Sequence, residues 1–321
     1  MDTTERSELR GRILDGRYLL GSVLGIGGTA VVFEAERLED GADVVVKTLR
    51  PIFVDNPDLV RRLRREGEVW RTVRHPGLVP VLDEGTLDDG SPYLVLERVH
   101  GECMQRLLRR VGTLPPDLVM AIAMRVASIL HAAHGHGYVH RDVKPEHVIM
   151  DRAPDGSLRV RLLDFGVCAS DRAPRDERDR EVGRVFGTPS YVSPEQASGD
   201  PDVDARADVF GVGILMFEAI TGRLPFTGSN VANLLRRIIR EDAPRVGLMR
   251  PDVRAEVDVA VATAMARKPE DRFPTMRSLS RALLPLVGDR RNVDARLLAA
   301  LRLGVDPIHG VPTRRDAIRA A

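Results

Sequence analysis

The chain has 321 residues, of which 43% are hydrophobic and 30% are charged, and its formal net charge at pH 7 is +1. This composition is typical of a soluble globular protein, and the near-neutral charge gives no reason to expect a nucleic acid or an anionic membrane as partner. The longest apolar run, VFGVGILMF, is too short to span a bilayer, the N-terminus is too polar for a signal peptide, and the two cysteines have no paired spacing. We therefore expect a cytoplasmic protein without a membrane segment.

The first quarter of the chain is predicted to form β-strands. Alternating apolar residues between 18 and 49 indicate successive antiparallel strands with a turn at 39–41. The first connection contains LGIGGTAVV, in which Gly25 and Gly27 leave room for the backbone to approach phosphate groups. A purely structural turn is the alternative, because glycine-rich turns are common. A dinucleotide-binding fold would need a helix directly after this turn, and a strand follows instead.

A helix is predicted over 58–73, and its apolar face includes one carboxylate, Glu66. An unpaired carboxylate on that face would be costly. Lys47 poses the same problem, because it ends an apolar strand, where a lysine is normally avoided. A pair between Lys47 and Glu66 would satisfy both charges near the phosphates of a nucleotide. Glu68 is the competing partner, but it lies off the apolar face.

The remainder of the chain is predicted to be mainly helical after short strands at 78–83 and 93–96. A long apolar helix covers 118–134, and HVIMD and SLRVRLLD form two short strands around a turn at 153–156. Further helices are predicted at 203–222, 230–241, 255–267 and 275–287. A strand-rich first quarter followed by helices indicates an α+β protein with two lobes and a hinge near 97–101.

The stretch HRDVKPEHV at 140–148 has the features of a loop for phosphate transfer, with a carboxylate at Asp142 and a lysine at Lys144. Only three of the 48 basic residues are lysines, and Lys47 and Lys144 are two of them. An arginine-biased genome accounts for the surface. A lysine kept against that bias indicates a position that needs a compact point charge.

A series of motifs in chain order resembles those of the eukaryotic-type (Hanks-type) serine/threonine protein kinases of bacteria. They are LGIGGTAVV, VVVK, Glu66, LERV, HRDVKPEH, LLDFGV, GTPSYVSPEQ, DVFGVG and KPEDRF. No single motif is decisive, but the whole series with family-like spacing is specific. The resemblance implies a protein kinase that transfers the γ-phosphoryl group of ATP to serine or threonine of a protein substrate.

The resemblance covers residues 18–284 and implies the bilobal protein-kinase fold. The N-lobe, 18–97, would be a five-stranded antiparallel β-sheet with one helix, and the C-lobe, 101–284, would be mainly helical. Residues 1–17 would be an N-terminal flank, and 285–321 a C-terminal helical tail. Within that tail the amphipathic stretch 293–303 would dock on the protein's own helical lobe, with a partner helix as the alternative.

The resemblance also implies roles for the matching residues. Asp142 would accept or orient the proton of the substrate hydroxyl, Lys144 would neutralise the migrating phosphoryl group, and Asp164 would hold Mg²⁺. The full catalytic set would be Asp142, Lys144, Lys47, Glu66, Asp164 and Arg141. The nucleotide would contact Leu24, Gly25, Ile26, Gly27, Gly28, Val32, Val45, Lys47, Leu96, Glu97, Val99 and Ile149.

Other matching residues would support this set. Thr188, together with the segment Ser193–Glu195, would shape the substrate-docking loop. Glu195 would pair with Arg272, and Asp208 would brace the catalytic loop from the core helix.

One departure from the family pattern affects the metal site. His147 stands at the second metal-ligand position, where the family has an asparagine. An imidazole ligates divalent ions but prefers softer ones than Mg²⁺, so Mn²⁺ is an alternative. Loss of one electrostatic donor would cost roughly 10²–10³ in rate. Since kinases turn over at about 1–100 s⁻¹, slow activity would remain.

Further departures concern the nucleotide pocket and the loop before Thr188. Val45 replaces a smaller residue above adenine and narrows the pocket. Trp70, at the helix position that contacts the DFG phenylalanine in related kinases, is either a core residue or a device that fixes the helix. The loop between Ser170 and Thr188 has no serine, threonine or tyrosine. Either Asp179 or Glu181 pairs with Arg141 in place of a phosphorylated residue, or this charged run is simply solvated.

Two other functions compete with the kinase interpretation. A pseudokinase would bind nucleotide and act as a regulatory scaffold without catalysis, as His147 and Val45 would favour. A small-molecule kinase would need a substrate pocket in place of the SPE segment. The input signal would come from a cytoplasmic regulatory partner or from the tails of the chain, because no membrane segment is expected.

The remaining candidate residues have ordinary structural explanations. The spacing of three histidines, His131, His134 and His136, favours packing at a helix end, and a metal site is the alternative interpretation. Cys168 is read as a small core residue, with a redox role as the alternative.

Overall fold

The computed structural model describes residues 7–165, 169–170 and 187–302, which form two compact units. Unit 1 contains residues 7–102 together with Arg302. Unit 2 contains the described residues between 103 and 301.

Unit 1 is built on a six-stranded antiparallel sheet with the strand order β1-β2-β3-β4-β6-β5. Five strands were expected, and the additional strand is β1, whose residues pair with the start of β2. It was missed because two residues are too few to show alternation. The strands are β1 (Ile13–Leu14), β2 (Tyr18–Ile26), β3 (Ala30–Arg37), β4 (Ala42–Leu49), β5 (Val81–Thr86) and β6 (Pro92–Glu97).

The two faces of this sheet have different tasks. One face buries a core that includes Val31, Phe33 and Val46, and Leu9 and Leu14 from the N-terminal segment join it. The other face packs against helix α1 (Pro57–Thr72), which contacts β4, β5 and β6. Because side chains alternate along a strand, Val45 and Lys47 point to the face that α1 covers.

Unit 2 is mainly helical, as predicted. Its helices are α2 (Met104–Val111), α3 (Pro116–Gly135), α4 (Pro194–Ala197), α5 (Arg206–Thr221), α6 (Val231–Arg240), α7 (Val246–Met249), α8 (Ala255–Ala264), α9 (Met276–Leu283) and α10 (Arg290–Ala300). The predicted helices are confirmed within a few residues, whereas α2, α4 and α7 were not predicted. The short strand β7 (Glu102–Cys103) lies where unit 1 passes into unit 2.

A strand hairpin in unit 2 leads to two of the predicted site residues. Strands β9 (Val148–Arg152) and β10 (Leu158–Leu162) pair antiparallel, with Val148 opposite Leu162. His147 directly precedes β9, and its carbonyl oxygen accepts a hydrogen bond of 2.8 Å from the Leu163 amide. The hairpin therefore brings His147 next to the residues that follow β10. A second strand pair joins β8 (Tyr138–Val139) to β11 (Ala169–Ser170).

Helix α3 is the centre of unit 2. It packs against α5, α9 and α10. Within the described part of the chain, it is the one helix long and apolar enough to cross a membrane, but most of it is buried inside the unit. That burial is expected of a central core helix.

The C-terminal helix α10 docks on unit 2, as the amphipathic pattern predicts. Val293 and Leu297 are buried. Ion pairs join Asp294 to Arg125 at 2.6 Å and Arg296 to Asp117 at 2.5 Å, and both partners belong to α3. The helix ends at Ala300, three residues before the predicted boundary at 303.

Substitution of Leu297 by alanine tests this docking. Leu297 is fully buried, and truncation of a buried leucine typically costs about 2–5 kcal/mol. The neighbouring Leu298 is only half-buried, so Leu298→Ala is the matched control and should cost clearly less. Urea denaturation followed by circular dichroism measures both variants. Equal, small effects would show that α10 is not docked.

Candidate functional site

The predicted ion pair between Lys47 and Glu66 is present in unit 1. The ammonium of Lys47 lies 2.7 Å and 2.8 Å from the two carboxylate oxygens of Glu66. Both residues are buried, whereas the competing Glu68 is exposed. Charge-assisted bonds of this length compensate two charges that would otherwise be costly to bury.

Gly67, which was not predicted to be a site residue, lets α1 approach the sheet closely. A Cβ atom added to Gly67 would lie 2.8 Å from Cδ2 of Leu94 on β6. The helix can therefore pack close enough for Glu66 to reach Lys47. Trp70 is buried in the same helix, as expected of a core residue.

Several of the unit 1 residues that are predicted to contact nucleotide lie in neighbouring positions of the sheet, whereas Gly27 and Gly28 lie in the turn after β2 and Val99 follows β6. Gly25 pairs with Val32, Val32 pairs with Lys47, and Val45 pairs with Leu96. These residues thus occupy adjacent strands on the sheet face that also presents Lys47. The remaining predicted nucleotide contacts in this unit are Leu24, Ile26, Gly27, Gly28, Glu97 and Val99.

The turn between β2 and β3 forms a hairpin, as predicted. The Gly27 amide donates to the carbonyl oxygen of Ala30 at 2.8 Å, and the Gly28 carbonyl accepts from Arg50 at 3.2 Å. A Cβ atom added to Gly27 would lie 3.6 Å from the carbonyl oxygen of Ala30, which is an ordinary contact distance. Ile149 belongs to unit 2, where it is fully buried on β9.

Asp142 is the centre of a hydrogen-bonded group in unit 2. Its Oδ1 accepts from the Thr188 amide at 2.7 Å, and its Oδ2 lies 2.9 Å from the ammonium of Lys144. Lys144 also donates to the Thr188 hydroxyl at 2.6 Å. Burial alone would raise the pKa of Asp142, but neighbouring His147 and Lys144, with the Thr188 amide, outweigh it and lower the pKa. The carboxylate is therefore ionised at neutral pH.

Gly187 is a further site residue that motif reading did not single out. Its φ is +99°, and an added Cβ would lie 2.8 Å from the Arg141 carbonyl oxygen and 3.3 Å from Oδ1 of Asp142. Only glycine fits this combination of backbone angle and contact. It allows the Thr188 amide to reach the Asp142 carboxylate.

Asp208 braces the catalytic loop from α5, as predicted. Its carboxylate accepts hydrogen bonds of 2.8 Å from the amides of both His140 and Arg141. It also contacts Nε2 of His134 at 2.7 Å, so that histidine has a structural partner. Burial would raise the pKa of Asp208, but the contacts with His134 and His140 lower it.

The predicted pair of Glu195 and Arg272 is also present, with both carboxylate oxygens 2.7 Å from the guanidinium. The next residue, Gln196, donates from Nε2 to the Arg141 carbonyl oxygen at 2.9 Å. The segment after Thr188 is thereby fixed to the catalytic loop.

His147 and Asp164, the two predicted metal ligands, lie next to each other. Nδ1 of His147 lies 3.0 Å from the Asp142 carbonyl oxygen, and Nε2 lies 3.7 Å from Oδ2 of Asp164. Because a carbonyl oxygen only accepts, Nδ1 carries the proton and Nε2 presents its lone pair. Burial lowers the pKa of His147 to about 4, against the opposing effect of Asp164 and Asp142. The imidazole is therefore neutral.

The side chains of Asp164 and His147 fit a divalent cation that takes its other ligands from phosphates and water. Among the described residues, no group of three or more histidine, cysteine or acidic side chains could hold a metal ion. Mg²⁺ in phosphoryl-transfer sites uses one or two carboxylates plus phosphates and water. Asp164 supplies the carboxylate, with a side chain 39% exposed, and His147 supplies one nitrogen.

Other sequence predictions lie outside the described residues. These are the core assignment of Cys168 and the pairing of Asp179 or Glu181 with Arg141.

Comparison with known proteins gives a consistent result. The family model for the protein kinase domain matches residues 18–291. Serine/threonine-protein kinase pkn3 of Myxococcus xanthus is 31% identical over 301 residues, which are 92% of this chain and 54% of the relative. Serine/threonine-protein kinase PknB of Mycobacterium tuberculosis is 34% identical over 267 residues, 82% of this chain and 41% of the relative. The chain thus spans about half or less of the length of these relatives.

A solved structure supports the same assignment. The kinase domain of Mycobacterium tuberculosis PknI, crystallised as a double mutant, matches with a TM-score of 0.67 and 28% identity. The match covers 87% of this chain and 98% of that domain. The chain therefore belongs to the protein kinase family, among the Hanks-type serine/threonine kinases of bacteria.

Proposed function

We propose that this chain transfers the γ-phosphoryl group of ATP to serine or threonine hydroxyls of protein substrates. The observation that carries the proposal is the hydrogen-bonded group of Asp142, Lys144 and Thr188. It combines an ionised carboxylate, an ammonium and the start of the segment that would dock the substrate. Protein substrates are also what the names of the relatives imply.

Each member of the group has a distinct task in this proposal. The Asp142 carboxylate orients the attacking hydroxyl and accepts its proton. Lys144 places positive charge where the migrating phosphoryl group accumulates negative charge. Because Lys144 also bonds the Thr188 hydroxyl, the position of the ammonium is fixed before substrate arrives.

The proposed reaction also requires ATP and a divalent cation. In unit 1, Lys47 would contact the α- and β-phosphates, with Glu66 holding its ammonium in place. In unit 2, Asp164 and His147 would hold the cation, which when bound neutralises charge on the phosphates. Imidazole nitrogen suits Mn²⁺ better than Mg²⁺, so we propose Mn²⁺ as the more effective ion.

The alternative functions receive less support. A scaffold without catalysis would not need the Lys47–Glu66 pair or an Asp142 held from several directions. A small-molecule kinase would not need the segment that Glu195 and Arg272 secure. A cytoplasmic location and a regulatory partner stay predictions from the sequence.

Substitution of the proposed base tests the function directly. Asp142→Asn should abolish transfer of radiolabel from ATP to casein, because an amide accepts no proton. Asp55→Asn, at an exposed position in unit 1, is the matched control and should retain activity. The assay is run with Mg²⁺ and with Mn²⁺. Absence of transfer by the unmodified chain in both metals, or equal transfer by Asp142→Asn, would refute the proposal.

Substitution of His147 tests the metal site. His147→Asn should raise the rate with Mg²⁺, by up to roughly 10²–10³, since it restores an oxygen donor. In pulsed electron paramagnetic resonance with Mn²⁺ and a non-hydrolysable ATP analogue, the unmodified chain should show ¹⁴N modulation from a bound imidazole. This modulation should vanish in His147→Asn and persist in His136→Asn, a control at an exposed position. Identical spectra for all three proteins would exclude His147 as a ligand.

Substitution of Gly187 tests the contact between the docking segment and the catalytic loop. Gly187→Ala should lower kcat and leave the KM for ATP unchanged, because the added Cβ would push the Thr188 amide away from Asp142. Gly156→Ala is the control, since Gly156 also has positive φ but has no atom within 4 Å of an added Cβ. It carries comparable backbone strain, about 1–3 kcal/mol, without the clash. Equal kinetics for the two variants would contradict the assigned contact.

A further inference from the structure

A basic groove lies on unit 2 between α3 and α9, made by residues other than those of the catalytic loop. Its volume is about 430 Å³. The connection from α9 to α10 also lines it, through Leu284 and Val287. The polar residues lining it are Arg125, Ser128 and His131 of α3, Arg277 and Ser280 of α9, and Arg290 at the start of α10. We call it the α3–α9 groove.

The positive charge of this groove is not compensated by its own lining. Among the residues that the structure describes, no aspartate or glutamate lines it. Arg125 is held by Asp294 of α10 at 2.6 Å, which fixes its guanidinium in place. Arg277 and Arg290 form no ion pair with any described residue.

The groove brings the guanidinium groups of Arg125, Arg277 and Arg290 to one concave surface. The guanidinium of Arg125 is held by Asp294, so those of Arg277 and Arg290 remain for a ligand. Such a surface selects an anion.

The chemistry of the lining favours a phosphate monoester. Guanidinium groups bind phosphate oxygens with two parallel hydrogen bonds, and the hydroxyls of Ser128 and Ser280 add neutral donors. Beside them Leu284, 54% exposed, offers an apolar surface for a neighbouring side chain. An open groove between two helices, with both kinds of surface, fits a protein segment better than a free small anion.

We propose that the α3–α9 groove binds protein segments that contain phosphoserine or phosphothreonine. The source of such segments rests on the proposed function, because phosphotransfer to serine or threonine would produce them. The binding itself requires no phosphotransfer. Bound products would keep the chain close to substrates that it has already phosphorylated, which raises their effective concentration for further phosphorylation.

The test measures binding of fluorescent peptides to the full chain by fluorescence anisotropy, without ATP. The probe is a degenerate peptide library with a central phosphothreonine, and it is compared with the same library unphosphorylated and with a 12-nucleotide single-stranded RNA. The phosphorylated library should bind at least about tenfold more tightly than either. The double variant Arg277→Glu with Arg290→Glu should lose this preference.

Matched variants distinguish the contribution of the groove to peptide binding from the contribution of the overall charge. Arg281→Glu with Arg240→Glu makes the same charge change at exposed arginines of α9 and α6 that do not line the groove, and it should bind as the unmodified chain does. Asp142→Asn should also bind normally, so a failure of the proposed phosphotransfer leaves this test intact. Equal binding of both libraries, tighter binding of RNA, or equal loss in both double variants would overturn the proposal.

Discussion

The geometry of the catalytic loop depends on one buried carboxylate, that of Asp208. It accepts hydrogen bonds from the amides of His140 and Arg141, and a third contact comes from His134. Arg141 has a φ of +66°, a conformation that costs a non-glycine residue about 1–3 kcal/mol. Hydrogen bonds to a charged group contribute about 1.5–3 kcal/mol each, so the bonds to Asp208 offset this strain. The loop keeps this unfavourable backbone conformation because the buried Asp208 carboxylate cannot reach water and needs the amides of His140 and Arg141 as hydrogen-bond donors.

Two further contacts of the unit 2 site depend on that fixed backbone. The Arg141 carbonyl oxygen is placed to accept from Gln196, which ties the docking segment to the loop. The Asp142 carbonyl oxygen is placed to accept from His147, which fixes the imidazole with its bare nitrogen toward Asp164. A metal-bound histidine usually has this kind of backbone partner on its other ring nitrogen. The backbone contact thus orients the donor nitrogen of His147 toward Asp164.

The free-energy cost of burying an unpaired charge made some parts of the site predictable from the sequence. A carboxylate on an apolar helix face and a lysine at the end of an apolar strand needed each other, and Glu66 and Lys47 are paired. The resemblance supplied the roles of Asp208, Glu195 and Arg272, whose contacts are present. The long helices were predictable because their apolar periodicity extends over several turns.

What escaped prediction depends on contacts between distant parts of the chain. A Cβ atom at Gly67 would clash with Leu94, and one at Gly187 would clash with the carbonyl oxygen of Arg141. Neither neighbour can be predicted from the local sequence. Strand β1 is too short for alternation to be visible, and it is held by pairing with β2. The strand predicted at 78–83 begins at Val81, because Pro80 has no amide hydrogen for the sheet.

The choice between lysine and arginine follows from the space around each charge. At the half-buried Arg206 the planar guanidinium pairs with the nearby Asp204 carboxylate. At position 144 the side chain is 16% exposed and must reach the Asp142 carboxylate and the Thr188 hydroxyl together. A compact ammonium with three rotatable donors meets both at bonding distance, whereas the rigid fork of a guanidinium needs coplanar acceptors and more room. Lys47 meets both oxygens of Glu66 in a similarly enclosed position. At Lys47 and Lys144, two of the three lysines of this arginine-rich chain, one small charge therefore serves two acceptors inside the protein, whereas the third, Lys268, is exposed.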